Sequence, residues 1–282
     1  MPSAIDQFEL YIYSFGFFSL DFCFIVARLC IGVELVLALF TLCGWFPRAM
    51  RLATSGVLIV FSLFLCYASL IGRNDNCQCF GEMVDLNPLQ SLLKNALLLA
   101  VVLFYYHLTP PKPRMQSRWV AIPVVLAAVL MATPFIVSIP DSWYFGPEKQ
   151  SFNEEAFTEW YSDYTNNQVV EQADARRIVA FVTPKCPYCQ LARKKLDAIV
   201  SRHDIDPSRL IYVEPQRKEN TQEAIVVSSK LFNEIIYDRT TKAYAFPLVM
   251  LLDGTQVVAT YHLRNIDEDQ IVEFFKYNTY NH

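Results

Sequence analysis

The chain has 282 residues with a net charge of −4, 53% hydrophobic and 18% charged residues, and a mean hydropathy of +0.23. That length suits two domains, and because residues 150–282 have an ordinary composition the apolar excess falls in the first half and points to a bilayer. No basic cluster marks the second half, which argues against a nucleic-acid partner, and eight dispersed cysteines are too few for a disulfide scaffold.

The first 22 residues carry no Lys or Arg and no small-residue cleavage site, so they read as an aromatic, acidic interfacial lead-in (Asp6, Glu9, Asp21) and not as a signal peptide. Four apolar spans follow, near 23–45, 55–72, 88–108 and 119–139, each close to the ~20 residues that cross a bilayer. The link 45–54 holds Arg48 and Arg51, and the link 109–118 holds Lys112, Arg114 and Arg118. The link 72–87 has one arginine against three acids. The excess of positive charge assigns 45–54 and 109–118 to the cytoplasm, and both termini with the 72–87 loop to the outside. The expected location is a bacterial inner membrane crossed several times, with the C-terminal domain on the periplasmic side.

Within the spans, Glu34 stands near the middle of the first, where an ionised group is expensive, and Cys30 lies one turn before it. The pair reads as a membrane relay or quinone contact, or alternatively as an interhelical hydrogen-bonding group. Cys23, Cys43 and Cys66 read as small packing residues. Arg28 and Lys94 lie nearer the outer ends, where long side chains snorkel.

The outer loop contains Asn76-Cys77-Gln78-Cys79-Phe80-Gly81-Glu82. A disulfide within Cys-x-Cys closes a small strained ring and is oxidising; alternatively Cys77 and Cys79 act in turn, one attacking and one resolving, or simply staple the loop. Four apolar helices with Cys77, Cys79, Phe80 and Gly81 outside, and Lys94-Asn95 in the third span, resemble the DoxX/MauE family of small membrane proteins over about residues 20–140. The resemblance implies a four-helix bundle related to that of vitamin K epoxide reductase, in which a thioredoxin-like partner is coupled to a quinone. It also implies a link to methylamine metabolism, through maturation of disulfide-containing subunits. This chain departs from the reductase in having no CxxC inside any span.

Residues 141–176 form a junction with a polar helix at 153–164, and a second domain runs from 177 to 282. It opens with the apolar, β-branched Arg177-Ile178-Val179-Ala180-Phe181-Val182, then Thr183-Pro184-Lys185, then Cys186-Pro187-Tyr188-Cys189 at the start of a helix expected near 187–203. Unpaired N–H groups and the macrodipole at a helix N-terminus stabilise an anion, which favours Cys186 as the attacking thiolate, and Lys185 adds positive charge beside it. Cys189, three residues on, shares its face and resolves. A zinc site would need two further ligands at suitable spacing, and the four histidines are scattered.

Downstream, 210–215 reads as a strand, 220–237 as a helix, 247–252 and 255–263 as a hairpin around Asp253-Gly254, and 266–277 as an amphipathic helix. This order, with CPYC and Ala245-Phe246-Pro247, resembles the thioredoxin fold. The resemblance implies a cis peptide at Pro247 facing the CPYC, with Pro187, Tyr188, Phe246 and Pro247 shaping a groove for an extended client. The strand before the motif lacks the buried Asp common in that family, which leaves Cys189 without an evident proton acceptor.

The expected architecture is therefore multi-domain, an all-α four-helix transmembrane bundle (1–140) followed by an α/β thioredoxin-like domain. The expected activity is thiol–disulfide exchange carried by Cys186, Cys189, Cys77 and Cys79 on dithiols or disulfides of extracytoplasmic proteins, with a quinone as candidate sink. A membrane-anchored assembly factor or chaperone with little turnover is the rival reading.

Overall fold

The computed structural model describes residues 4–72, 87–108, 121–138, 143, 151–167, 176–216, 224–238, 242–244 and 246–276. The chain divides into two compact units, one over Ser3–Ile139 and the other over Pro140–His282.

The first unit is helical. Its elements are α1 (Ala4–Tyr13), α2 (Leu20–Cys43), α3 (Pro47–Leu70), α4 (Pro88–Leu108) and α5 (Ala121–Val137). Three of them, α2, α3 and the Pro88–Tyr105 part of α4, are long and apolar enough to cross a membrane. The fourth expected span is a helix of 17 residues, short of the three others. The expected link at 45–54 shrinks to the turn Gly44–Phe46, because Pro47 needs no N–H partner at a first helical position and starts α3 at once. Arg48 and Arg51 therefore lie on the first turns of α3. The interfacial lead-in contains a helix, α1, whose Phe8 stacks on Phe61 at 6.2 Å and whose Tyr11 meets Phe64 edge-on. Helices α2 and α5 approach closely at Gly32, where any side chain would press on Met131, its Sδ at 3.0 Å and its Cα at 3.2 Å from the Cβ position.

Charge placement in this unit departs from expectation. Arg28 does not reach out to a polar boundary; it is 1% exposed. Its guanidinium donates to the Ser138 carbonyl at 2.8 Å, the Ser138 hydroxyl at 3.0 Å, Glu9 at 3.1 Å and the Phe24 carbonyl at 3.0 Å, and it covers the Phe24 ring. Ser138 in turn donates to Asp6 at 2.9 Å. A buried guanidinium is stable only when its donors are satisfied, and here α1, α2 and the end of α5 supply the acceptors.

The second unit is a mixed sheet flanked by helices. In chain order it contains α6 (Glu154–Asn167), β1 (Arg176–Phe181), α7 (Pro187–Arg202), β2 (Leu210–Pro215), β3 (Ala224–Val227), α8 (Ser229–Ile236), β4 (Tyr237–Asp238), β5 (Ala243–Tyr244), β6 (Leu248–Asp253), β7 (Gln256–Tyr261) and α9 (Glu268–Lys276). The five-stranded sheet has the order β3-β2-β1-β6-β7. Strands β1, β2 and β3 run parallel, while β6 is antiparallel to both β1 and β7. The apolar runs at 178–182 and 248–252 are buried throughout, as central strands covered on both faces should be. At the β6–β7 hairpin Gly254 takes φ 61, the left-handed conformation the turn requires.

The helix expected over 220–237 is a strand and a shorter helix. Ile225, Val226 and Val227 extend the sheet at its edge, and α8 starts only where Ser228 accepts the Leu231 N–H on its hydroxyl. Ten residues separate α8 from Pro247, and a small ladder, β4–β5, fills part of them, closed by an edge-on pair of Tyr237 and Tyr244. The polar helix α6 carries acids outward but buries Phe157, Trp160 and Tyr161 in the same core as Val179, Phe181, Phe232 and Met250.

Candidate functional site

β1 ends at Phe181, and the chain continues as Val182, whose N–H donates to the Val213 carbonyl of β2 at 3.0 Å. The apolar β-branched strand gives way at Thr183-Pro184, and the Cys186 N–H turns back onto the Thr183 carbonyl at 3.2 Å. Cys186 then occupies the N-cap of α7 with extended backbone, and Pro187 fills the first helical position. The Cys189 N–H, one of the unpaired donors of that first turn, points at Cys186 Sγ at 3.4 Å. The sulfur thus stands where an N-cap oxygen normally sits.

The two thiols differ in environment. Cys186 is partly exposed, whereas Cys189 is 1% exposed. Burial pushes the Cys189 thiol well above the ordinary range, and the neighbouring Cys186 adds to the shift while hydrogen bonds with Thr183 oppose it. One sulfur is offered to solvent and one is withheld, which is the asymmetry an attacking and resolving pair needs.

The antiparallel register pairs Phe181 with Leu248, so β6 begins at the sheet end where β1 stops. Pro247 immediately precedes Leu248, is buried, and follows a cis peptide bond from Phe246. Phe246 is 37% exposed and stacks on Phe232 at 5.7 Å. The sheet thus brings Cys186, Cys189, Pro187 and Tyr188 to the same end as Phe246 and Pro247. Cys77 and Cys79 lie outside the described residues. Cys30 and Glu34 belong to the helical unit, where Cys30 is partly buried, Glu34 is exposed on the helix surface, and Lys94 of α4 lies within electrostatic reach of Glu34. Cys23 is fully buried as a packing residue, and Cys43 and Cys66 are exposed. Among the described residues no group of three or more His, Cys, Asp or Glu side chains is placed to hold a metal ion.

Two charged groups escape a reading by motif. One is the Arg28 cluster, whose partners are remote in sequence. The other is Glu214 on β2, fully buried and paired with Arg193 of α7 at 2.9 Å. Its signal is an acid at the end of an otherwise apolar strand, combined with an arginine four residues after Cys189.

Residues 3–108 match the family described as methylamine utilisation protein MauE. The MauE-like segment covers α1 to α4 and includes Cys77 and Cys79; it ends well before the CPYC motif. Over 131 residues the chain is 28% identical to Protein TlpB of Flavobacterium psychrophilum, a stretch that covers 45% of this chain and 35% of that protein. The chain therefore spans about a third of the length of this curated relative. No solved structure matches the chain.

Proposed function

We propose that the protein is a membrane-bound thiol–disulfide oxidoreductase whose α/β unit is thioredoxin-like and whose helical unit is a four-span, MauE-like bundle. The observation that carries this reading is the asymmetry of the CPYC pair. Cys186 caps a helix N-terminus, partly exposed, with an N–H aimed at its sulfur, and Cys189 is buried behind it. In the reaction Cys186 exchanges with a sulfur of an extracytoplasmic protein, forming a mixed disulfide, and Cys189 displaces that protein to close the Cys186–Cys189 bond. Cys77 and Cys79, as a dithiol, then reduce the CPYC disulfide and are themselves reduced by a quinol in the bilayer; run in reverse, with a quinone as the sink, the same steps oxidise a client dithiol. The groove beside Pro247, with Tyr188 and Phe246, holds the client extended. The arginine-bearing ends favour a periplasmic α/β unit, since Arg48 and Arg51 mark the opposite face.

The purified full chain tests this by turnover of a small protein dithiol with and without a soluble quinone. Catalytic oxidation or reduction that Cys186→Ser abolishes is expected. Stoichiometric reaction without turnover would instead support an assembly factor, the reading that the match to a methylamine utilisation family favours.

A further inference from the structure

The chain leading to the motif is apolar from Ile178 to Val182 and then places a buried threonine, Thr183, where valine would fill the same space. A buried hydroxyl is costly unless it is hydrogen-bonded, so its partner matters. That partner is the resolving thiol. Thr183 donates to Cys189 Sγ from its hydroxyl and from its backbone N–H. The strand geometry explains why the N–H is available. Successive N–H groups point to opposite edges of a strand, and Val182 sends its own to the Val213 carbonyl of β2. The Thr183 N–H therefore points to the other edge, where the pairing of β1 with β6 ends at Phe181 and Leu248. The Thr183 carbonyl is taken by the Cys186 N–H at 3.2 Å, which closes a turn over Thr183-Pro184-Lys185-Cys186 with proline at its second position. Gln190 straps this turn to α7. Its side-chain amide donates to the Pro184 carbonyl at 2.7 Å, and its N–H donates to the Cys186 carbonyl at 3.1 Å. The two sulfurs are thus provided for separately: Cys186 Sγ receives the Cys189 N–H at 3.4 Å, and Cys189 Sγ receives Thr183.

A sulfur that is 1% exposed must become an anion without help from bulk water. Hydrogen bonds to an ionised acceptor are about twice as strong as those to a neutral one. Two donors aimed at Cys189 therefore favour its thiolate over its thiol, and the gain falls on the second half of the exchange. Resting on the oxidoreductase reading, we propose that Thr183 is a catalytic residue of the resolving step, its hydroxyl and N–H holding the Cys189 sulfur as it becomes anionic. In that step the Cys189 S–H bond breaks and the thiolate attacks Cys186 Sγ. The Cys186–Cys189 bond forms, and the bond from Cys186 to the client breaks. The electron pair of the broken bond leaves with the client sulfur, which ends with the proton that Cys189 gave up. The Cys186–client disulfide is itself the oxidant, so the step needs no other. In the reverse direction Thr183 holds the same sulfur as Cys189 leaves the Cys186–Cys189 bond.

The full-length protein in detergent, reduced and then reacted with dithiobis(nitrobenzoate), separates the two half-steps. The release of coloured thiol that Cys186→Ser removes and Cys189→Ser keeps reports attack. The release that Cys189→Ser removes reports resolution. Thr183→Val keeps the shape and the backbone N–H and removes only the hydroxyl. It should leave the attack phase unchanged and slow the Cys189-dependent phase roughly tenfold. Thr183→Ser, which keeps a hydroxyl, should recover most of that rate, whereas Thr183→Ala should be as slow as the valine variant. An unchanged second phase in Thr183→Val, equal slowing of both phases, or a serine variant no faster than valine overturns the assignment. A wild-type protein with no Cys189-dependent phase overturns the oxidoreductase reading itself, and this assignment with it.

Discussion

The two units handle buried charge in different ways. In the helical unit a single guanidinium is surrounded by acceptors from three helices, with two carboxylates and a serine converging on Arg28. In the α/β unit the runs at 178–182 and 248–252 are apolar, and buried acids are paired one by one, Glu214 with Arg193 and Glu268 with Arg202 and His203. The first arrangement ties α1, α2 and the end of α5 together by hydrogen bonds that add to their van der Waals packing, since helices in lipid gain no hydrophobic drive toward one another. The second leaves cohesion to the sheet and its core, and its ion pairs join α7 to β2 and to α9. Buried charge fastens helix to helix in one unit and helix to sheet in the other.

That contrast breaks most visibly at Arg28. Replacing it with Leu strands Glu9, Asp6 and Ser138 without their common donor and should destabilise the helical unit by roughly 3–5 kcal/mol. Unfolding of the full chain in detergent, followed by helical circular dichroism, measures this, and a loss under about 1 kcal/mol would mean the cluster is solvated and fastens nothing. A smaller effect is expected at the α2–α5 contact. Gly32→Val overpacks against Met131 and should lose about 1–3 kcal/mol in the same assay. If it is neutral, the two helices do not approach as closely as the Gly32–Met131 contact requires. The smallest effect belongs to the α/β unit. Ser228→Ala removes the cap of α8 and should lose about 1 kcal/mol while leaving the thiol chemistry of Cys186 intact. A change in thiol reactivity there would tie α8 to the site more tightly than this account allows.

The parts legible in the sequence were those set by local pattern. Apolar length located α2, α3 and α4, and the β-branched run ending at Thr183-Pro184 located β1 and the start of α7. The hairpin was visible because Asp253-Gly254 sits between two strand-like segments. Failure came where tertiary contact decides. Ile225-Val226-Val227 can extend a helix or add an edge strand, and only β2 beside it selects the strand. Arg28 at a span end has the same local sequence whether it reaches for solvent or inward, and its partners Glu9 and Ser138 are 19 and 110 positions away. The asymmetry of the cysteines was visible in CPYC itself, while Glu214 was hidden because no spacing rule links a strand residue to a helix 21 positions earlier.

The central claim is that Cys186 and Cys189 relay electrons through the Cys77–Cys79 pair of the same chain. The most direct measurement is non-reducing peptide mapping of the full-length protein carrying Cys189→Ser, isolated without added reductant. Without its resolving thiol, Cys186 should be trapped in a disulfide with Cys77 or Cys79, and replacing that one partner by Ser should abolish the bond. Cys186 recovered only as a free thiol, or joined solely to other proteins, would contradict the relay and leave the α/β unit acting on its client alone.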